Sequence, residues 1–305
     1  MSEPVSLPLD LEPPTPKSLV LDLLGCCPDR LMPVSTLVAA GNCFGIAENS
    51  VRMALGRLVG SGLVSHEDRS LYRLAARAAG VLAQIAEVRT LGRHLHPWQG
   101  GWIGVLPGFR SARVPRGAIS RAGERTLAFL GFRQFDAGLH LRPDNVDGGV
   151  EQLRLALYAR GLERSAIVCE LRSVGRNHDQ RARRLWNAPS LIERYRSLLY
   201  ALEASTKRIP ELRPHEALAE TFVLGGHVER QLVLDPRLPV EILGSAERDQ
   251  LEEALDRYEE FTGPIWQGFL ERHGVPDALP PRGTGLLAEA KEVPTPDRDT
   301  DAVGI

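Results

Sequence analysis

The sequence predicts a multidomain α+β protein with an N-terminal winged helix-turn-helix, a ferredoxin-like α/β middle domain and an α-helical C-terminal domain. Near the N-terminus, apolar residues recur at helical spacing before a short hairpin pattern. Strand and helix patterns alternate through the middle of the chain, and helical patterns alone follow from Gln180 onward. A chain of 305 residues, 43% of them hydrophobic, is long enough for two or three domains.

The N-terminal prediction depends on residues 48–64. Four apolar residues there form one helical stripe: Val51, Ala54, Leu55 and Leu58. Gly60 and Gly62 end this helix, and two short extended segments follow with a turn at residues 68–70 between them. A helix followed by a small hairpin is typical of a winged helix-turn-helix, whose second helix enters the major groove of DNA.

Two shorter helical patterns precede this segment, at residues 18–24 and 34–40, and we expect each to end at the glycine that follows it. The connection at residues 42–46 is short and rich in turn-forming residues, as a helix-turn-helix requires. Three helices and a hairpin therefore fit between Lys17 and Leu74.

The side of the third helix opposite its apolar stripe carries arginines that a buried helix does not need. Solvated arginines on an ordinary amphipathic helix explain this segment equally well, but the two preceding helices favour DNA binding. We expect the helix to contact bases or phosphates, and the hairpin to contact the DNA backbone or minor groove. The predicted DNA-binding residues are Asn49, Ser50, Arg52, Met53, Gly56, Arg57, Arg69, Tyr72 and Arg73.

The charge distribution agrees with one DNA-binding domain. The formal net charge is −2, which excludes a histone-like polycation. Residues 17–93 contain nine basic and six acidic residues, a net charge of +3, so the rest of the chain carries −5. A mildly basic segment joined to an acidic remainder suits a protein that contacts phosphates with one domain only.

The four cysteines do not form a metal-binding pattern. Cys26 and Cys27 are adjacent and no second pair matches them, so we expect reduced, partly buried thiols and neither a metal nor a cofactor. No segment approaches the roughly 20 apolar residues of a membrane span, and the N-terminus lacks a signal-peptide pattern. We therefore expect a cytoplasmic protein with no membrane contact.

The middle of the chain follows the order strand, helix, two strands, helix, strand, which is that of a ferredoxin-like sandwich. After residue 180 three broad apolar helical faces follow. We expect Ser245 to be the N-cap of the last of these helices, and Gly263-Pro264 to bend or break it. The predicted segments are 1–16 (disordered), 17–76 (winged helix-turn-helix), 77–97 (connector helix and linker), 98–175 (ferredoxin-like), 176–275 (helical, for dimerisation and effector binding) and 276–305 (disordered tail).

Four segments of the chain resemble the PaaX family, the repressors of phenylacetic acid catabolism. They are VRMALGRLVGSGLV, PWQGGW, LAFLGFRQFDAGLHLRP and HVERQLVLDPRLP, which occur in the family's order. The resemblance extends from Leu19 to Leu270, and the DPRLP element is its most specific part. Gly56 and Gly60 are departures from what a strong recognition helix would contain, because each glycine weakens a helix by about 1 kcal/mol. They indicate a close approach to DNA or a different operator.

The resemblance implies a transcriptional repressor with a winged-helix head, a ferredoxin-like middle domain related to a CRISPR-associated nuclease fold, and a helical C-terminal domain. It also implies that phenylacetyl-CoA relieves repression. A nuclease of this fold needs a metal-binding acid at the end of its first strand, and residues 101–108 contain no carboxylate. The sequence also lacks a nucleophile elbow, a Walker loop, an HExxH motif and a dinucleotide-binding glycine motif. We therefore predict no catalytic residues and no enzymatic activity.

The densest basic cluster of the chain is the segment NHDQRARRLW. Its arginines could hold the phosphates of a CoA ligand or of DNA, or could pair with acidic residues of their own domain. Trp186 could cap a ligand pocket or anchor the core, and His227 falls in a segment that matches the family. The predicted effector-binding residues are Arg181, Arg183, Arg184, Trp186 and His227.

The sequence thus predicts a homodimeric repressor that binds operator DNA and is released from it by an aryl-acyl-CoA. One short recognition helix covers only a few base pairs, so two copies on an inverted repeat are expected. The dimer interface is expected on the apolar stripes at residues 191–202 and 251–261. Two alternatives stay open: an enzyme acting on CoA thioesters, and a DNA-binding dimer with no ligand response.

Overall fold

The computed structural model describes residues 11–91, 95–108 and 119–289. The protein is α+β, as predicted, with two small antiparallel sheets and a helical C-terminal region. The helices are α1 (Pro16–Cys26), α2 (Val34–Cys43), α3 (Glu48–Gly60), α4 (Ala76–Leu91), α5 (Arg121–Phe129), α6 (Gly149–Ala159), α7 (Arg176–Ala182), α8 (Ala188–Arg208), α9 (Pro214–Val233), α10 (Val240–Leu243), α11 (Glu247–Arg272) and α12 (Leu286–Glu289). The strands are β1 (Leu31–Pro33), β2 (Val64–Asp68), β3 (Leu71–Leu74), β4 (Trp102–Leu106), β5 (Arg133–Asp136), β6 (Leu139–Pro143) and β7 (Ile167–Leu171).

The chain divides into two compact units. Among the described residues, unit 1 contains 11–86, 192–233 and 246–289. Unit 2 contains 87–91, 95–108, 119–191 and 234–245. Unit 1 therefore joins the N-terminal elements to helices from the last third of the chain, a grouping that the sequence-based boundaries do not contain. Those boundaries stay predictions.

The N-terminal part of unit 1 contains the three helices and the hairpin that the sequence predicts. Its strands form a sheet in the order β1-β3-β2 with antiparallel pairing, and β1 is the element that the sequence analysis missed. The helix α1 begins at Pro16, and the Thr15 hydroxyl accepts a hydrogen bond from the Ser18 amide as its N-cap. The pyrrolidine ring of proline suits this first position.

The first two helices do not end at the predicted glycines. Gly25 lies within α1, and Gly41 is a buried residue within α2. A Cβ atom at Gly41 would lie 2.8 Å from Cγ2 of Val51, so the missing side chain lets α2 and α3 approach closely. These glycines therefore serve helix packing rather than helix termination.

One hydrophobic core runs through unit 1. Buried leucines of α1, including Leu19 and Leu23, belong to the same cluster as aromatic residues of α9 and α11. The rings of Phe222 and Trp266 lie 5.7 Å apart, and the Trp266 indole donates to the Thr221 hydroxyl at 3.1 Å. Because this core is shared, α9 and α11 support the helices on which α3 packs.

Residues 276–289, here called the tail segment, are ordered against unit 1, and the prediction of disorder is wrong for them. The Leu279 amide donates to the Cys26 carbonyl at 3.0 Å, and the Gly283 amide donates to the Phe222 carbonyl at 3.0 Å. The Arg282 guanidinium donates to carboxylates on α9 and α11. Isolated proline and glycine are typical of loops, and the sequence pattern shows no sign of these long-range partners. Residues 290–305 of the predicted tail lie outside the described residues.

The long helix α11 corrects two further predictions. Its N-cap residue is Ala246, not Ser245, and no side chain caps it. The helix also continues through Pro264 to Arg272. Beyond the proline, Trp266 and Phe269 are buried in the unit 1 core, and this burial stabilises a continuation that local propensity disfavours.

Unit 2 contains a four-stranded sheet in the order β5-β6-β4-β7, with every pair antiparallel. Apolar residues of its strands and of α5 and α6 form one core. The strand and helix order agrees with the prediction. The helix α5 starts at Arg121, and the Ser120 hydroxyl is its N-cap.

Within the described ranges, none of the helices has both the length and the apolar content that crossing a membrane requires.

Candidate nucleic-acid interface

The helix α3 has one buried side and one exposed side. Val51, Leu55 and Leu58 are at most 2% exposed, and they pack into the unit 1 core. The opposite side is the outer face of α3, and the structure exposes all of its members. They are Asn49, Ser50, Arg52, Met53, Gly56 and Arg57. The helix itself therefore brings together six of the nine predicted DNA-binding residues.

The two arginines of the outer face have different surroundings. Arg52 forms an exposed ion pair with Glu48 one turn earlier, at 2.7 Å. An exposed pair of this kind contributes little free energy, so Arg52 can exchange its partner for a phosphate or a base. Arg57 is exposed, and no ion-pair partner for it is found in the described parts of the chain. This face thus presents cations whose charge is weakly compensated.

Gly56 leaves an open space on the same face. A Cβ atom at this position would meet nothing within 4 Å, so packing within the protein does not require glycine here. Glycine inside a helix costs about 1 kcal/mol relative to alanine. The backbone of α3 is therefore open to solvent at Gly56.

The hairpin formed by β2 and β3 carries the other three predicted residues. Arg69 lies exposed in the turn between the strands. Arg73 pairs with Glu67 at 2.5 Å and donates to the Asp29 carbonyl at 2.7 Å. The ring of Tyr72 lies 4.5 Å from that of His66. Arg69 is therefore the open cation of the hairpin, whereas Arg73 and Tyr72 have partners inside the protein.

The predicted effector-binding arginines lie in unit 2, in and directly after α7. The guanidinium of Arg181 lies 3.9 Å from the ring centroid of Phe135 and pairs with Asp136 at 3.0 Å. That of Arg183 pairs with Asp179 at 2.7 Å and lies over Trp98. These contacts favour the interpretation that both arginines pair within their own domain. Arg184 is exposed.

Trp186 is a core residue. Its side chain is 4% exposed, its ring stacks on that of Trp102 with centroids 6.2 Å apart, and its indole donates to the Gly131 carbonyl at 3.2 Å. A buried tryptophan whose ring stacks on another ring and whose N–H is hydrogen-bonded anchors the surrounding elements.

His227 belongs to the other unit, on α9, where it is half-buried. Burial, helped by the nearby positive charges of Arg230 and Arg194, lowers the pKa of its imidazole. The ring is therefore held neutral at neutral pH, and a neutral imidazole is a poor partner for phosphate.

Sequence analysis missed one polar group in unit 1. Asp22 interrupts the apolar run of α1, and the Gly285 amide donates to its carboxyl at 3.1 Å. Burial is the main cause that raises the pKa of this carboxyl to about 7. The signal for it was an acidic residue inside the run SLVLDLL, where a solvated side chain is not expected.

Comparison with known proteins identifies the segment that contains this interface. Residues 15–78 match the family model described as PaaX-like protein. No curated protein matches the chain. Among solved structures, the chain resembles the uncharacterized protein Rv0674 from Mycobacterium tuberculosis, with a TM-score of 0.55 and 23% sequence identity. The match covers 85% of this chain and 97% of that one, and at this identity it shows a shared fold.

Proposed function

We propose that this chain, whose residues 15–78 form a PaaX-like domain, is a transcriptional regulator that binds double-stranded operator DNA through the outer face of α3. The observation that supports this most directly is the exposure of five polar or small residues and one methionine on a helix whose other side is buried. Such a face has no role inside the fold, and a helix of this kind fits the major groove.

The arrangement of neighbouring elements supports a winged helix-turn-helix. A turn at residues 44–47 separates α2 from α3, and the β2–β3 hairpin follows α3 directly. The short strand β1 completes the small sheet by pairing with β3. In this arrangement α3 is the recognition helix and the turn that contains Arg69 is the tip of the wing.

The strand order of unit 2 supports a ferredoxin-like fold for the middle of the chain. Numbered within the unit, its strands follow the spatial order 2-3-1-4, and α5 and α6 connect them in the βαββαβ sequence of that fold.

We infer further that the regulator acts as a homodimeric repressor. Two recognition helices on successive major grooves gain the affinity that one short helix lacks. The apolar stripes proposed for the interface are largely buried inside unit 1, because Leu198, Leu202 and Leu251 are at most 2% exposed. On the same helices Tyr200 is 73% exposed and Phe261 is 44% exposed, so these aromatic residues are the better candidates for contact with a second copy.

Release by an aryl-acyl-CoA such as phenylacetyl-CoA is the finer part of the proposal, and it rests on the resemblance to the PaaX family. The arginines of α7 are the candidate phosphate ligands. Because Arg181 and Arg183 already pair with Asp136 and Asp179, a ligand would have to displace these carboxylates, whereas Arg184 is exposed. We expect calorimetry to show binding of phenylacetyl-CoA but not of phenylacetate, and to lose it when the three arginines become alanine. Unchanged binding in that variant would place the effector elsewhere.

A gel-shift titration of the full chain on the DNA upstream of its own gene tests DNA binding. We expect a salt-sensitive complex that unrelated competitor DNA does not remove at equal concentration. The double variant Arg52→Ala, Arg57→Ala should lose this complex. Its matched control, Arg176→Ala, removes an exposed arginine from α7 in unit 2 and should bind like the unmodified protein. Equal affinity for operator and unrelated DNA would refute a sequence-specific regulator.

A further inference from the structure

The outer face of α3 contains one large apolar side chain. Met53 is 50% exposed, whereas Val51 and Leu55 on the opposite side are fully buried. The residues three and four positions away, which flank Met53 on the helix surface, are Asn49, Ser50, Gly56 and Arg57. None of these four offers an apolar surface that covers the thioether, so water covers about half of the side chain.

The surroundings of Met53 place it for contact with another molecule. Gly56, one turn further along the same face, leaves open space where a side chain would stand. The amide of Asn49 lies 3.8 Å from the sulfur of Met53 and donates a weak hydrogen bond to it. The thioether therefore stands between an amide that can contact a base and a gap in the helix surface.

We propose that Met53 determines sequence specificity by packing its thioether against the C5-methyl group of thymine in the major groove. This inference rests on the proposed binding of DNA through α3. The thymine methyl is the apolar group that base pairs present in the major groove, and cytosine lacks it. A flexible, polarizable methionine adapts to such a contact, and covering a methyl group with it removes apolar surface from water.

Asn49 extends the same preference. It is the second residue of α3, and the N-terminal residues of a recognition helix are the ones that reach base edges. An asparagine amide matches the N6 and N7 atoms of adenine. The Asn49 amide thus matches the adenine of one A·T pair, and the Met53 thioether matches the thymine of a neighbouring pair. Each half-site should therefore contain thymine opposite α3.

The test begins with a duplex of known sequence. Selection from a random duplex pool with the full-length protein supplies a consensus, and each thymine in it is then replaced singly by deoxyuridine. This replacement removes the methyl group and leaves the hydrogen-bonding groups of the base pair in place. We expect at least one position in each half-site at which the unmodified protein binds about three- to tenfold more weakly, the range for loss of one buried methyl contact.

The variants then assign that methyl group to a residue. Met53→Ala should bind the thymine duplex about three- to tenfold more weakly and should no longer distinguish it from the deoxyuridine duplex. Met53→Leu keeps an apolar contact and should still distinguish thymine from deoxyuridine. Met53→Gln keeps the length of the side chain but loses its apolar end, and should no longer distinguish them. The control Leu155→Ala removes an exposed apolar residue from α6 in unit 2 and should change neither value.

Each outcome separates this inference from the function on which it rests. A consensus without thymine, equal affinity for all deoxyuridine duplexes, or a thymine preference that survives in Met53→Ala would overturn the role of Met53 and leave DNA binding intact. Failure of the full-length protein to enrich any sequence would overturn both.

Discussion

Two polar regions of unit 1 differ in how their charges are satisfied. Where the tail segment packs on α9 and α11, arginines and carboxylates pair: Arg282 pairs with Glu229 and Glu259, and Arg230 pairs with Glu289. On the outer face of α3, the cations are exposed and weakly compensated, and Gly56 leaves a gap. The first arrangement holds elements of the fold together. The second contributes little to the fold, which points to a partner outside the chain.

The close approach of two glycines strengthens this contrast. A Cβ atom at Gly226 of α9 would lie 2.4 Å from the backbone of Gly283 in the tail segment. Glycine there is explained by a contact within the protein. At Gly56, a Cβ atom would meet nothing within 4 Å, so no contact within the protein requires glycine there.

The largest expected effect is on DNA binding, and it tests the contrast between the tail segment and the outer face of α3. The double variant Arg52→Ala, Arg57→Ala should lower affinity for the operator by at least about 30-fold, because each of the two lost contacts costs roughly 1–3 kcal/mol. The thermal midpoint should stay within a few degrees, since both side chains are exposed. Titration by fluorescence anisotropy and a thermal melt measure the two quantities. A large drop in the midpoint would mean that the outer face supports the fold after all.

The next effect concerns pH and the carboxyl of Asp22. Its pKa in the folded protein is about 7, against about 4 when unfolded, so between these values unfolding releases a proton and stability falls as pH rises. We expect a loss on the order of 2 kcal/mol between pH 4 and pH 7. The full pKa shift corresponds to roughly 4 kcal/mol of unfolding free energy. We expect about half of this, because water partly screens a half-buried side chain.

The variant Asp22→Asn isolates this carboxyl. An amide is neutral at every pH, and its oxygen can still accept the hydrogen bond from Gly285. The variant should therefore melt higher than the unmodified protein at pH 8 and show a flatter dependence between pH 5 and pH 8. An unchanged pH dependence in Asp22→Asn would show that the Asp22 carboxyl is not its source.

The sequence predicted local elements far better than the contacts between them. The outer face of α3 followed from spacing alone, because buried and exposed residues alternate with the helical period. The same reasoning placed helix ends at Gly25 and Gly41, which instead serve packing against Leu82 and Val51. Whether a glycine ends a helix or packs against another element depends on its tertiary contacts, and the local sequence pattern does not reveal those contacts.

The tail segment and the basic cluster show the same limit. Arg282 pairs with residues 23 and 53 positions away, so composition alone suggested disorder there. Likewise, the pairing of Arg181 with Asp136 depends on the return of α7 towards β5, which the charge count of the segment could not show. Ion pairs between residues far apart in the chain are therefore what could not be predicted from the sequence.

A smaller effect is expected at Gly56, with opposite signs for folding and binding. Alanine there fits without a clash and is the better helix former, so Gly56→Ala should raise the free energy of unfolding by up to about 1 kcal/mol. The added methyl group would stand where DNA approaches, and affinity should fall about tenfold. Urea unfolding and DNA titration on one preparation give both values. Higher stability with unchanged affinity would show that nothing approaches the backbone at Gly56.

The smallest effect is expected at the wing. Arg69 is exposed in the turn between β2 and β3, whereas Arg73 is held by Glu67 and by the Asp29 carbonyl. Arg69→Ala should lower affinity a few-fold for operator and unrelated DNA alike, and should reduce the slope of log affinity against log salt by about one unit. Arg73→Ala is the matched comparison and should change that slope less, because its charge is already paired. The measurement is a salt series on both duplexes. A loss confined to the operator would mean that Arg69 contacts bases, and an equal loss in both variants would mean that the Glu67 pair opens when DNA binds.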